Sequence, residues 1–200
     1  MPYPPEHRDR TRARIVRSAQ LLFNRHGFDS VKIDDIMAQA GLTRGGFYSY
    51  FETKSELYAE AILLSLAETP WGRWDGLSVD FSADDAARQV VNVYLSDQHF
   101  GDVDGSCPMV ALPSDVARSE PAVRRAFESV FNSMAGLFQK TLEESGQADR
   151  QRALTIASIC VGAMVVARAV DSRSLSEEIR RAAMRTALEL GGWTEGKTCS

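Results

Sequence analysis

The sequence predicts an all-α protein, a small N-terminal helix-turn-helix head on a larger helical body. Three observations predict it. Between Gly27 and Tyr58 the chain spells helix, glycine turn, capped short helix and capped longer helix. Apolar residues recur at helical spacing along residues 8–26, 82–100 and 119–145. Residues 153–170, ALTIASICVGAMVVARAV, are apolar on nearly every side, and an amphipathic stretch follows. Two hundred residues with 44% hydrophobic content suffice for one or two cores.

The first helix is expected from about Arg8 to His26. Ile15, Ala19, Leu22 and Phe23 make its buried stripe and Gly27 ends it. In the second, Ile33, Ile36, Met37 and Ala40 fall at i, i+3, i+4 and i+7, and Gly41 stands where a C-terminal cap with positive φ belongs. Thr43 is placed to N-cap a third helix, Arg44 to Phe51. Phe47 and Phe51 anchor its inner face, leaving Arg44, Gly45, Gly46, Tyr48, Ser49 and Tyr50 outside. Two glycines here fit either a tight helix crossing or a surface meant to lie close to a flat partner such as the major-groove floor. The residues alone leave the two open. Thr53-Lys54-Ser55-Glu56 is a capping box that starts a longer helix.

The ordered set Gly27-Phe28, Asp35-Ile36, Ala40 to Thr43, Phe47 to Phe51 and Lys54 to Leu57 resembles the DNA-binding domain of the TetR family of bacterial repressors, without gaps over roughly residues 10 to 60. The resemblance implies a three-helix DNA-binding domain, residues 1–54 with the N-terminal arm, and a ligand-binding and dimerisation domain, residues 55–200, linked by the helix from about residue 54. It implies phosphate contacts from Tyr48, Tyr50 and Lys54, with Thr43, Arg44, Gly45, Gly46 and Ser49 along the groove. Arg44 is the candidate for bidentate guanine readout, because its fork matches O6 and N7. Lys32 stands where the family usually has a capping Ser or Thr. It can still pair with phosphate, but the helix cap must then come from elsewhere, with Ser30 the candidate.

Beyond residue 60 the resemblance weakens and the residues carry the argument. The first body helix runs to about Glu68. Trp71 to Gly76 is a loop whose tryptophans can lid a pocket or, as the commoner arrangement, plug a core edge. Ser82 should cap a helix to about Phe100, with Ala87, Val90, Val91, Tyr94 and Leu95 inward. Gly101 to Gly105 is acidic but lacks the ligand set of a calcium loop. Ser106-Cys107-Pro108 opens a helix that Pro113 should kink or split. GSCPMVAL is similar to a glycine-cysteine-helix motif in some family members with small-molecule sensing bodies. Cys107 at a helix start can be read as an electrophile-sensitive thiolate or, in preference, as a structural thiol. From Pro121 to about Ser145 the apolar stripe includes Val123, Phe127, Val130, Phe131, Met134, Phe138 and Leu142. The candidate pocket lining is Trp74, Tyr94, His99, Cys107, Met109, Phe127, Phe131, Met134 and Phe138.

The last helices are expected over about 150–171 and 176–190. Paired with their symmetry mates they would form an isologous four-helix interface. Its candidate residues are Ile156, Ile159, Gly162, Ala163, Val166, Ile179, Ala183, Thr186 and Ala187; burial within one chain is the alternative. The tail from Gly191, with Cys199, is expected to be loose.

Charge is distributed unevenly. Residues 7–25 carry six arginines against one aspartate, +5 with His neutral, whereas residues 61–200 carry 14 basic and 19 acidic residues, −5, within a net −4. A basic start on an acidic body suits a DNA-binding head on a sensor. Three cysteines at unrelated spacings suit reduced thiols and no metal site. No signal peptide opens the chain and no uninterrupted apolar run nears eighteen residues, so a soluble cytoplasmic protein without membrane or cofactor is expected. The expected function is a homodimeric repressor released from a palindromic operator by a small apolar or aromatic effector. Electrophile or redox sensing through Cys107 is the alternative. An enzyme is not expected, because no nucleophile–base–acid set is present.

Overall fold

A computed structural model describes residues 5–67, 74, 76–144 and 150–194, with side chains of residues 6–67, 74, 76–143 and 150–194. The expectations for Pro2 to Pro4, Trp71 to Arg73, the Gly146 helix stop and Cys199 lie outside those residues. All regular structure described is helical. The helices are α1 (Pro5–His26), α2 (Ile33–Gln39), α3 (Lys54–Ala67), α4 (Ala86–Tyr94), α5 (Asp97–Gly101), α6 (Pro108–Ala111), α7 (Pro113–Arg118), α8 (Pro121–Glu144), α9 (Arg150–Ala169) and α10 (Arg173–Gly191). A 3-10 segment, Arg44–Ser49, stands between α2 and α3.

The chain packs as two compact units. One comprises residues 1–69 and 103–130, the other 70–102 and 131–200. These packing units are drawn differently from the 1–54 and 55–200 division expected from sequence, because α6, α7 and the start of α8 pack with the N-terminal helices.

In the first unit Ile15, Ala19, Phe23, Ile36, Met37, Phe47, Phe51, Leu57 and Ile62 are buried. Leu22, expected in the stripe, is half-exposed. Phe23, Phe28 and Tyr58 form an aromatic cluster with centroids 4.7–5.8 Å apart. The end of α1 is tied to residues 104–115. Asn24 Nδ2 donates to the carbonyls of Asp104 and Ser106, Arg25 pairs with Asp104, and Asp115 Oδ2 accepts from the Phe28 N–H at 2.8 Å. Gly27 is needed there on two counts. Its φ is +76°, and a Cβ would lie 2.7 Å from Asp115 Oδ2.

The second unit is built from α4, α5, the later half of α8, α9 and α10. The single helix expected from Ser82 to Phe100 is two helices: α4 is preceded by Asp85, while Ser82 closes a turn with Asp80. The break at Leu95–Ser96 has a tertiary cause. Ser96 Oγ accepts from the His99 N–H and starts α5. Arg180 of α10, its side chain 6% exposed, donates to the Leu95 carbonyl at 3.0 Å and to Asp97 Oδ1 at 2.6 Å, and lies over the Phe100 ring. Arg168 of α9 donates to the His99 carbonyl at 2.6 Å. Carbonyls that a continuous helix would use are satisfied by guanidinium groups instead. The split at Pro113 is as expected. Residues 191–194 are not loose: Gly192 (φ +71°) ends α10 and Trp193 folds back onto Phe138, 5.6 Å between centroids.

Arg180→Ala strips the Leu95 carbonyl and Asp97 of a buried charged donor, and should cost about 2–3 kcal/mol. Arg181→Ala breaks an exposed pair with Glu177 and should cost under about 1 kcal/mol. Urea unfolding of the two variants measures the difference; equal costs would contradict this account of the break.

Candidate functional site

The helix-turn-helix is closed by local hydrogen bonds. After α2 the Gly41 N–H reaches the Ala38 carbonyl and the Leu42 N–H reaches that of Met37, at 2.9 and 2.8 Å. With Gly41 at φ +67° this is a Schellman turn, as the sequence implies. The N-cap of α2 is Lys32, not Ser30. Lysine has no acceptor, so the reciprocal bond does the work: Asp35 Oδ2 accepts from the Lys32 N–H at 3.0 Å. Thr43 has N-cap backbone geometry, but its hydroxyl makes no capping bond. At α3, Thr53 Oγ1 accepts from the Glu56 N–H as expected, while the Glu56 carboxylate accepts from Glu52.

The segment after Gly41 is a 3-10 helix, not the α-helix expected over Arg44 to Phe51. Phe47 and Phe51 are its buried anchors. Thr43, Arg44, Gly45, Tyr48 and Ser49 are exposed, as is Lys32; Gly46, Tyr50 and Lys54 are half-buried. A Cβ on Gly45 would meet nothing within 4 Å, and one on Gly46 only Met37 Cε at 3.6 Å, an ordinary contact. No neighbour inside the chain demands these glycines, which removes the helix-crossing explanation. What they leave is a flat, side-chain-free strip between Arg44 and Ser49.

Two residues that sequence reasoning counted only as charge hold this segment. Arg8 Nη2 donates to the Ser49 carbonyl at 3.0 Å. Arg12 makes a fork-to-fork pair with Glu60 and stacks over Phe51, 4.6 Å from its centroid. Its pKa is raised, first by the Glu60 hydrogen bond. With Arg25 paired to Asp104, three of the six arginines of residues 7–25 have partners within the chain. Aromatic spacing could have suggested the Arg12 stack; nothing in the sequence marks Glu60. Lys54 Nζ lies 4.2 Å over the Phe28 ring, and its pKa is lowered by desolvation.

The nine candidate pocket residues do not fall in one unit. Cys107, Met109 and Phe127 belong to the first; Trp74, Tyr94, His99, Phe131, Met134 and Phe138 belong to the second. Within the second, three come together. The His99 ring is 4.8 Å from Tyr94 and 5.2 Å from Trp74, and Trp74 Nε1 donates to Asp102. His99 Nδ1 is 2.6 Å from the Tyr94 carbonyl, which can only accept, so Nδ1 carries the proton. Nε2 is then a bare acceptor, buried and without a partner. Burial pushes the imidazole pKa down to about 4 despite the carbonyl, so the ring is neutral at neutral pH. Phe138 is occupied by Trp193. Cys107 is half-exposed at the start of a four-residue helix, and Cys160 is buried with its pKa pushed up to about 12. Among the described residues no group of three or more His, Cys, Asp or Glu is arranged to hold a metal.

On the terminal helices Ile156 and Ala187, expected at a subunit interface, are fully buried within the chain. Gly162, Val166 and Thr186 are exposed, and Ile159, Ala163, Ile179 and Ala183 half-exposed. An open groove of about 610 Å³ runs along Arg150, Gln151, Leu154, Thr155, Ser158 and Ile159. By length and composition α9 could cross a membrane, a test that core helices also pass.

Comparison with known proteins bears on both parts of the chain. Residues 15–61 match the profile described as bacterial regulatory proteins, tetR family, and residues 83–186 that of the transcriptional regulator LmrA/YxaF-like C-terminal domain. The HTH-type transcriptional regulator TtgR of Pseudomonas putida is 41% identical over 64 residues, 32% of this chain and 30% of that protein. The curated relatives are thus matched over about a third of their length. Reduced NemR of E. coli shares the fold at TM-score 0.71 and 17% identity, over 90% of this chain and 96% of its own. SmeT, solved as a triclosan complex, does so at 0.64 and 18%, over 96% and 97%.

Gly45→Ala should leave thermal stability unchanged or raised by up to about 1 kcal/mol, because its methyl meets no atom. DNA affinity of the same variant should fall at least roughly tenfold, one such factor being about 1.4 kcal/mol. A variant that unfolds early would restore the packing explanation. His99 gives a pH test. The unfolded imidazole protonates near 6.5 and the folded one near 4, so protons favour the unfolded chain between those values and stability falls as pH drops. Between pH 7 and 5 wild type should lose about 2 kcal/mol more than His99→Gln in denaturant unfolding; parallel losses would contradict a buried neutral His99.

Proposed function

Because the chain belongs to the tetR family of bacterial regulatory proteins, we propose that it is a homodimeric DNA-binding repressor of transcription, released from its operator by a small molecule bound in the body. The observation that carries the DNA reading is the strip from Arg44 to Ser49. It is held rigidly from behind by Phe47, Phe51 and Arg8, and it is bare of side chains at Gly45 and Gly46 for no internal reason. Such a surface suits close approach to base edges, with Arg44 and Ser49 donating there and Lys32, Tyr48, Tyr50 and Lys54 on phosphates. In a homodimer two such segments would enter successive major grooves about 34–36 Å apart. The half-exposed and exposed apolar positions of α9 and α10, from Ile159 to Val166 and at Ile179 and Ala183, supply a face for the second copy.

The effector reading rests on His99. A neutral ring presenting a buried bare acceptor between two aromatic rings fits a flat molecule with one O–H or N–H donor. SmeT, a protein of the same fold, has been crystallised with triclosan. Release from DNA requires that the effector bind the non-DNA arrangement more tightly, by roughly 1–3 kcal/mol of coupling. Cytoplasmic location follows from the DNA partner. Sensing through Cys107 gains no support from dipole activation, because a four-residue helix provides little of it.

Binding measured by fluorescence anisotropy on DNA upstream of the coding sequence tests the assignment. Arg44→Ala should weaken binding and flatten sequence preference. Tyr48→Phe with Lys54→Ala should weaken binding to every sequence and make the salt dependence shallower by one to two contacts, each worth about 0.9 in the log–log slope. Unchanged affinity in both would sink the residue roles.

A further inference from the structure

Arg44 has a partner in its own head. Its Nη1 donates to Oδ2 of Asp34 at 3.0 Å, across ten residues and from the start of the 3-10 segment to the first turn of α2. Both side chains stand in solvent, 66% and 51% exposed, on the surface assigned above to DNA. The carboxylate is carried on a fixed element, since α2 is closed by its Schellman turn and buries Ile36 and Met37. Asp34 is spared the capping role, which falls to Asp35.

We propose that Asp34 is a specificity-determining residue that acts through Arg44, an inference that rests on the DNA-reading function proposed above. A guanidinium has five N–H donors in a rigid fork. Asp34 occupies one, at Nη1, and the donors left over suffice for two parallel bonds to guanine O6 and N7. An unpartnered arginine at this position would sample many rotamers and lose that freedom on reading a base. One already held by a carboxylate loses less. The same carboxylate disfavours the wrong targets. It neutralises Arg44 toward phosphates, which every sequence offers alike, and it repels the backbone wherever no matched base engages the fork. Asp34 therefore weakens binding to all DNA while weakening it least at the matched site, which is discrimination by a repulsive element.

Selection from a randomised duplex library tests this with wild type, Asp34→Asn, Arg44→Ala, the double variant and Glu52→Gln. The last removes a negative charge from the exposed surface of the same head away from Arg44. Wild type should enrich a guanine position that Arg44→Ala loses. Asp34→Asn should retain more of the random library and lower the enrichment at that position roughly three- to fivefold, the upper range for an exposed pair. Glu52→Gln should raise retention without changing the enrichment, and Asp34→Asn should change no enrichment once Arg44 is alanine. The proposal is overturned if Asp34→Asn matches Glu52→Gln, or if its effect on enrichment persists without Arg44. Enrichment that Arg44→Ala leaves intact would remove Arg44 as the reader and this inference with it, with the DNA reading kept. No enrichment by wild type would remove all three.

Discussion

A six-residue 3-10 segment with two glycines has no means of holding its own shape. Isolated helices need about 12–15 residues to be even marginal in water. Everything functional proposed for this chain depends on that segment being held from outside. Phe47 and Phe51 bury completely beneath it, Arg8 takes its last carbonyl, and Arg12 covers Phe51 while locked to Glu60 of α3. The head is therefore less a pair of helices joined by a turn than a buried aromatic clamp. Its outer surface is left free of structural duty, so it can be specialised for a partner.

The features legible in the sequence were those set by neighbours within a few residues. Gly41 after Ala40 fixed the Schellman turn, Thr53 and Glu56 the start of α3, Pro113 the split between α6 and α7. The features that were not legible come from distant side chains. Nothing within residues 82–100 announces that the helix stops at Leu95, because the arginines that satisfy the freed carbonyls lie on α9 and α10, up to 85 residues away. Trp193 looked like part of a loose tail until Phe138 gave it a surface. Ile156 and Ala187 fit an interface pattern by spacing, but a helix apolar all round gives no sign of which side its own chain covers.

Charge shows the same division. The +5 over residues 7–25 reads as attraction to phosphate, yet three of those arginines are engaged with Ser49, Glu60 and Asp104. Part of the basic character is architecture: it builds the head and ties the end of α1 to residues 104–115. In the body the informative group is neutral. His99 is legible as a histidine near a helix end. Its tautomer, and so the kind of ligand atom it could accept from, follows only from the Tyr94 carbonyl beside it.

The central claim is that two copies of this head read DNA together. Hydroxyl-radical footprinting of the DNA upstream of the coding sequence, at low salt, tests it most directly. The account predicts two protected patches on one face of the duplex, one helical turn or about 34–36 Å apart, of related sequence in opposite orientation. A single patch, or protection that spreads without regard to sequence, would contradict it.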